Sequence, residues 1–494
     1  MRGALVLLVV TATSSASALS LHKRDSPAVV KLPVQRRQAA QTIQKRDSTL
    51  GVTISNNQQL SYLVNLTLGS PPQTFSLTLD TGSSDLWVNV ANSSICSGGN
   101  DPCKPFGLYN SSASSTYKGL DLAFNATYGD GSNSYGSYAT DTLGLGNSTV
   151  DNFQFIVAES STIPQGIAGV GYKISTYAAD HENKTYDNLP YALAASGATK
   201  SAAYSLWLND ISAATGTILF GGVNKAKYKG ELQTLPIVPV YNQYYSLAIA
   251  LTEVSVQTSS QSKSYTNNLP LAVSLDTGTS FTALPEALVN NIYKDLDVTY
   301  DEKAAAAYID CNAVEKDYNV TYNFSGAQIT VAISQLILNG TEAGFPKGTC
   351  VFGIVPSAAG LNLLGDTFLR SAYVVYDLEN NEISLANTNF NPGDDDILEI
   401  GTGSSAVPGA TLVPSAVSTA TGNGAATATN SAIVSTVPVG STGTSSGSSG
   451  ATSTASAAHS AASTSTSSGL ATFPTSNAKH LLSGLAGAGL LLVV

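Results

Sequence analysis

Histidine is scarce. The 494-residue chain has four, His22, His181, His459 and His480, with one methionine, two tryptophans and four cysteines. Only His181 falls within the stretch that patterns as a folded body, so a Ser-His-Asp or Cys-His hydrolase would have to use it as its base. No Gly-x-Ser-x-Gly elbow is present in that stretch, and a zinc hydrolase needs clustered histidines that one residue does not supply. The absence of Cys-x-x-Cys argues against a zinc ribbon or a dithiol redox centre. No cofactor and no metal are implied. Charged residues make up only 12% of the chain against 43% hydrophobic ones, a balance that suits a secreted β-rich protein better than a cytosolic helical one.

Neither end reads as part of the fold. Arg2 precedes the apolar run from Ala4 to Val10, and a small-residue stretch ends in Ala16-Ser17-Ala18. Residues 1–18 therefore read as a signal peptide, too short in its apolar part to span a bilayer. The basic pairs Lys23-Arg24, Arg36-Arg37 and Lys45-Arg46 follow, two of them directly before an Asp. In a secreted chain they read as processing sites, giving a pro-segment over residues 19–46 and a mature start near Asp47; the alternative is an ordinary basic linker. Residues 1–46 hold eight of the 23 Lys and Arg but one of the 34 Asp and Glu. The remainder thus carries 15 basic and 33 acidic residues, a net charge of −18. Such a body will not bind nucleic acid by neutralising phosphates.

At the other end, residues 401–470 contain no Asp, Glu, Lys or Arg and are almost entirely Ser, Thr, Ala, Gly, Val and Pro. A stretch of this kind cannot bury enough apolar surface to offset its ordering entropy. Residues 396–470 are expected to form a disordered, O-glycosylated stalk. The last fourteen residues, Leu481–Val494, are apolar or small, with Lys479 and His480 before them and Ser467, Ser468 and Gly469 upstream. That order reads as a GPI-attachment signal over 471–494, a retained tail anchor being too short to span comfortably.

Between about residues 60 and 390, short β-type runs alternate with Gly, Asn, Ser and Asp turns: Tyr62–Leu68, Gln73–Leu79, Phe153–Ala158, Gly216–Phe220 and Tyr373–Asp377. The clearest helix runs from Pro285 to Leu296, with Leu288, Ile292 and Leu296 on one face, and a second lies near Leu189 to Ala195. The region is mainly β. Cys96, Cys103, Cys311 and Cys350 suggest two disulfides; three pairings are open, and the local one, Cys96–Cys103 with Cys311–Cys350, is the simplest. Nine Asn-x-Ser/Thr sequons, at Asn65, Asn92, Asn110, Asn125, Asn147, Asn183, Asn319, Asn323 and Asn339, agree with a secretory route.

The body holds one internal repeat. LTLDTGSSDLWV around Asp80 is echoed by VSLDTGTSFTAL around Asp276, and GIAGVGY (166–172) more faintly by NLLGDTF (362–368). Two copies of one arrangement imply two lobes related by an approximate two-fold, an N-terminal lobe over 47–235 and a C-terminal one over 236–395. With histidine and cysteine set aside, a hydrolase is left with carboxylates, and two suffice. Held close together they cannot both ionise cheaply, so the pair shares one proton and titrates as a unit. The ionised member can take a proton from a water between them while the protonated member hydrogen-bonds a scissile carbonyl. Activity then belongs in acid. Gly82 and Gly278 let each chain turn tightly and bring amides to the carboxylates. Ser83 and Thr279 can donate to the outer carboxylate oxygens, and Thr81 and Thr277 can lock the two loops together from behind.

D-T-G-S-S-D-L-W-V and D-T-G-T-S, one per half, closely resemble the pepsin family of aspartic proteases. So do TYGDGS (127–132), AYSLWL (203–208), LFGGV (219–223), LLGDTFLR (363–370) and AYVVYDLENNEISLA (372–386). The resemblance covers about residues 60–390. The disulfide placing and the GPI-type tail look most like its fungal yapsin and candidapepsin branch. It implies an all-β, bilobal double barrel with a cleft between the lobes, and a monomer acting on protein or peptide substrates at the cell surface. Asp80 and Asp276 become the catalytic dyad. Gly82, Gly278 and Thr279 face substrate, as does the flap segment Tyr128-Gly129-Asp130, and Trp87 meets the hydroxyl of Tyr128. Asp130 could bind substrate, pair with a lysine, or simply shape the turn before Gly131. One departure is Ile167-Ala168-Gly169, where the family usually carries a bulkier residue than Ala168. A binding-only surface module on this fold is the main alternative, but the Asp, Tyr and Gly residues that inactive relatives lose are all present. An acid glycosidase would leave two symmetric Asp-Thr-Gly loops unexplained. The acidic body and Asp130 point weakly to basic residues around the cut.

Overall fold

A computed structural model describes residues 27–37, 61–98, 101–129, 131–240, 242–341, 345–358 and 360–422. In chain order the first half forms β1 (Val30–Arg37), β2 (Ser61–Leu68), β3 (Gln73–Asp80), β4 (Leu86–Asn89), β5 (Lys118–Thr127), β6 (Asn133–Leu145), β7 (Ser148–Ser161), β8 (Ile167–Gly169), β9 (Ala203–Trp207) and β10 (Thr215–Phe220). Strands β2, β3, β8, β4, β7 and β6 are neighbours in that order, and β2 pairs again with β6, closing a six-stranded barrel. Alternation drives it: in β2 and β3 Leu66, Leu68, Phe75, Leu77 and Leu79 enter one continuous core. The fold class is as expected, mainly β.

The two halves repeat one local topology. β3 ends on Asp80 and lies parallel to β8, which lies antiparallel to β4. In the second half the strand Leu271–Leu275 runs up to Asp276 and lies parallel to Leu363–Leu364, which pairs antiparallel with Thr282–Leu284. A parallel pair needs a long crossover. The roughly ninety residues separating each Asp-Thr-Gly from its Gly partner supply it.

Strands of both halves share one large sheet. From its edge the order is Ala410–Leu412, Tyr228–Pro236, Glu382–Thr388, Ala372–Asp377, β9, β10, β1 and then the barrel strands from β2. β1 comes from the stretch read as pro-segment, and it is an integral strand: Val30, Leu32 and Val34 are buried while Lys31, Pro33 and Gln35 face out. The helix expected from Pro285 spans Glu286–Leu296, with Leu288, Ile292 and Leu296 buried as the spacing requires. The second spans Leu189–Ala195. Both disulfides take the local pairing, Cys96–Cys103 and Cys311–Cys350.

The stalk expected from residue 396 needs correction over its first part. Ile397–Glu399 pairs with Gly222–Asn224, Ala410–Leu412 runs parallel to Leu232–Thr234, and Ile400 and Val407 are buried. Composition misled because this stretch adds edges and a few apolar contacts to a core built elsewhere. The signal peptide, the residues around Lys45-Arg46, and the rest of the stalk and tail from 423 lie outside the described residues.

Candidate active site

Each Asp-Thr-Gly loop leaves the buried end of a strand. The Asp80 and Asp276 carboxyls meet within hydrogen-bond reach of each other, both buried. Their supports are mirror images. The Gly82 amide donates to Asp80 Oδ1 at 2.8 Å and the Gly278 amide to Asp276 Oδ1 at 2.8 Å. The Ser83 hydroxyl donates to Asp80 Oδ2, and that of Thr279 to Asp276 Oδ2 at 2.6 Å. A Cβ on either glycine would lie 2.5 Å from the opposite Asp Oδ1. No side chain can replace that hydrogen while the carboxyls stay together.

Behind the pair, Thr81 and Thr277 interlock. The Thr81 hydroxyl accepts from the Thr277 amide at 3.0 Å and donates to the Leu275 carbonyl at 2.7 Å. The Thr277 hydroxyl accepts from the Thr81 amide at 3.1 Å and donates to the Leu79 carbonyl at 2.8 Å. Four buried hydrogen bonds thus tie the two halves at the point where the carboxyls face each other. Gly169 packs on the Ser84 and Asp85 backbone, and Gly365 on the Thr279 and Phe281 carbonyls, fixing each loop from outside.

Burial pushes Asp276 well above the ordinary carboxylate range, and the negative charge of Asp80 adds to that. Burial also raises Asp80, but the Ser83 hydroxyl and Gly82 amide oppose it. The pair therefore shares one proton and titrates as a unit, with burial favouring the protonated form of both members.

The hairpin of β5 and β6 carries Tyr128, whose hydroxyl accepts from Trp87 Nε1 at 2.7 Å, both rings being buried. Gly129 is exposed at the tip; Asp130 lies outside the described residues. Ala168 is buried and joined to Leu79 and Leu86 by strand pairing, so the smaller residue leaves the pairing intact. All the expected site residues except Asp130 can thus be placed, and the eight loop residues come together.

Two carboxylates had been given no role. Asp85 is buried and accepts from the Tyr138 hydroxyl at 2.9 Å, the Tyr186 hydroxyl at 2.5 Å and the Tyr177 amide at 2.7 Å. Asp366 is buried close behind Asp276. Burial raises it well above its ordinary range and the Asp276 charge adds, against opposition from Arg370 and Arg36. Both stand inside motifs already singled out, DTGSSDLWV and LLGDTFLR. A charged residue in an otherwise apolar strand context was the available signal. Among the described residues no cluster of His, Cys, Asp and Glu could hold a metal ion.

Comparison with known proteins agrees with this geometry. The family model for eukaryotic aspartyl proteases matches residues 61–388. The chain is 48% identical over 432 residues to the probable aspartic-type endopeptidase opsB of Aspergillus oryzae, covering 85% of this chain and 88% of that protein. It is 34% identical to the aspartic proteinase yapsin-3 of Saccharomyces cerevisiae, covering 78% and 77%. Among solved structures, the aspartic proteinase from Irpex lacteus superposes with a TM-score of 0.57 at 22% identity, over 73% of this chain and 98% of that one.

Proposed function

The chain belongs to the eukaryotic aspartyl protease family and is an aspartic-type endopeptidase; from that premise we propose that it cuts proteins in acid, outside the cell, through a water activated between Asp80 and Asp276. The observation that carries the proposal is the mirrored carboxyl pair, buried and within hydrogen-bond reach. Asp80, ionised, takes a proton from the water as its oxygen bonds to the scissile carbonyl carbon. Asp276 gives its proton to the carbonyl oxygen, forming a gem-diol. The proton on Asp80 then passes to the amide nitrogen as the C–N bond breaks, and a gem-diol hydroxyl returns a proton to Asp276. Tyr128, Gly129 and Asp130 close over an extended substrate, and the hydrogen bond from Trp87 holds the Tyr128 hydroxyl.

Casein digestion at about pH 4, near the ordinary carboxylate range, tests this on protein truncated after residue 422. Proteolysis should be blocked by pepstatin and absent in Asp80→Asn. A fully active Asp80→Asn variant would end the mechanism.

The same reading includes a signal peptide over 1–18, cutting at Lys45-Arg46, and a GPI-attachment signal over 471–494, with the mature protein a monomer. No described helix is long and apolar enough to cross a membrane. Seven of the nine sequon asparagines are exposed, Asn319 and Asn323 being half-buried, which supports glycosylation along a secretory route. Endoglycosidase treatment of the secreted protein should lower its apparent mass; no change would remove that support. The acidic body supports acceptance of basic residues near the cut. Profiling a peptide library would refute this if only bulky apolar positions were selected.

A further inference from the structure

The two faces of β4 serve different cores. Successive side chains of a strand point to opposite sides. Leu86 and Val88 enter the large core, whereas Trp87 belongs to a separate buried cluster with Phe124, Ala126 and Tyr128 of the β5–β6 hairpin and with Tyr138 further along β6. Asp85 stands two residues before Trp87. It is buried, and it meets the same cluster at Tyr138.

The Asp85 carboxyl gathers three segments of chain. Oδ1 accepts from the hydroxyls of Tyr138 at 2.9 Å and Tyr186 at 2.5 Å, and Oδ2 accepts from the Tyr177 amide at 2.7 Å. The Tyr138 hydroxyl in turn accepts from the Ala178 amide at 3.0 Å. The first amides of a helix find no acceptor within the helix itself. In the short helix Tyr177–Glu182 the Tyr177 and Ala178 amides go to Asp85 and Tyr138, and the Ala179 amide goes to the Thr176 side chain. A carboxyl beside β4 and a tyrosine from the hairpin thus hold the start of this helix. Rings complete the packing. Phe124 of β5 lies edge-on to Tyr138 with centroids 6.1 Å apart and edge-on to Tyr177 at 5.4 Å, and Tyr186 lies edge-on to Tyr138 at 5.8 Å.

We propose that Asp85 is a positioning residue for the flap, fixing the base of the hairpin as Trp87 fixes its tip. Trp87 holds the Tyr128 hydroxyl. Asp85 holds Tyr138 directly and, through the helix, the ring of Tyr177 on which Phe124 rests. Both supports lie within three residues directly after the Asp80 loop. The hairpin is thereby placed relative to the dyad rather than to the surface. The inference rests on the reading that the hairpin closes over substrate.

The chemistry of the cluster calls for a carboxyl. The Tyr177 amide can only donate. The Tyr138 hydroxyl already accepts from Ala178, which leaves its proton for Asp85. These two donors meet different oxygens of Asp85. Whichever way an asparagine turned, its amide group would face one of them. Asp85→Asn is therefore a disruptive change of nearly unchanged shape.

The test compares Asp85→Asn and Tyr186→Phe with the unsubstituted protein at equal concentration of folded protein from gel filtration. Peptide hydrolysis is followed across pH, and hydrogen exchange is followed at the amides of residues 123–127 and 133–137. Asp85→Asn should lower kcat/KM roughly tenfold, the scale of one buried hydrogen bond. KM should carry more of the change than kcat, because the Asp80 loop keeps its own bonds. The limbs of the pH profile should stay in place, since they belong to the dyad. The hairpin amides should exchange faster. Tyr186→Phe removes one hydroxyl from a half-buried ring, so it keeps the fold and should show the same pattern at smaller size. A lowered melting temperature with kcat/KM and hairpin exchange unchanged in both variants would make the cluster packing alone and overturn the assignment. Tyr128→Ala separates this from failure of the flap reading. If Tyr128→Ala loses activity while Asp85→Asn does not, only the role of Asp85 falls. If Tyr128→Ala stays fully active, the flap reading falls and the role of Asp85 with it.

Discussion

Thr277 has no proton to give to a substrate, yet its replacement should cost as much as many active-site changes. Thr277→Val would leave the buried Thr81 amide without its acceptor and the Leu79 carbonyl without its donor. Each unsatisfied buried group costs about 1–3 kcal/mol. Thermal unfolding should therefore shift downward, and kcat should fall more than KM rises, because the spacing of the carboxyls changes rather than the cleft. Trp87→Phe is the complementary case. It removes the 2.7 Å donor to the Tyr128 hydroxyl, so kcat/KM should drop by roughly tenfold, the worth of one hydrogen bond, and because Trp87 is fully buried the smaller ring leaves a void that also lowers the melting temperature. Residues of this kind were legible because Asp-Thr-Gly concentrates its chemistry within four positions. Asp85 and Asp366 were not, since Tyr138, Tyr186 and Arg36 come from distant segments, and Arg370, four residues after Asp366, announces no role by its spacing alone.

The element that decides whether the loops form is the parallel strand pair. Gly169 ends β8 with its Cα against the Ser84 and Asp85 backbone, where a Cβ would lie 2.7 Å from both amide nitrogens. Backbone cannot move aside as a side-chain tip can. Gly169→Ala should therefore displace the Asp80 loop and abolish activity, with reduced yield of folded protein. Gly131→Ala is the control: it meets nothing within 4 Å and bears only the strain of φ +81°, a cost of roughly 1 kcal/mol. Activity in both variants at equal folded concentration separates the two. The echo of GIAGVGY in NLLGDTF made this crossover readable, and so were strands with clean alternation and the helix Glu286–Leu296 with its repeating apolar face. The six-residue helix Tyr177–Glu182 was not, because it is too short to show a period; what starts it is the Thr176 side chain accepting from the Ala179 amide. The ordered stretch over residues 396–422 was hidden for a different reason. Its few apolar residues dock on edges that exist only once the body has folded.

At the scale of the whole molecule, carboxylates pull stability in opposite directions with pH. Hydrogen bonds from Thr116, Tyr109 and Ser114 overcome burial to hold Asp141 below its ordinary range, and the Lys31 bond does so for Asp395. Their stabilisation is present above the ordinary carboxylate range and is lost as pH falls through the depressed values. Burial places Asp80, Asp276 and Asp366 on the other side. A raised carboxyl binds its proton more tightly in the folded state, so stability is fully present below the unfolded pKa and drains away as pH rises through the folded one. The body should be most stable in mild acid, where the second group keeps its protons and the first has lost them. Asp276→Asn isolates the part of this owed to the dyad. An amide of the same shape needs no proton to stay neutral, so the variant should show no proteolysis and unfold a few degrees above the unsubstituted protein at neutral pH. That difference should vanish as pH falls below the ordinary carboxylate range, where Asp276 is neutral in either state of the chain. Calorimetric scans of both proteins across that range decide it: a constant offset would mean that packing, not the shared proton, separates them.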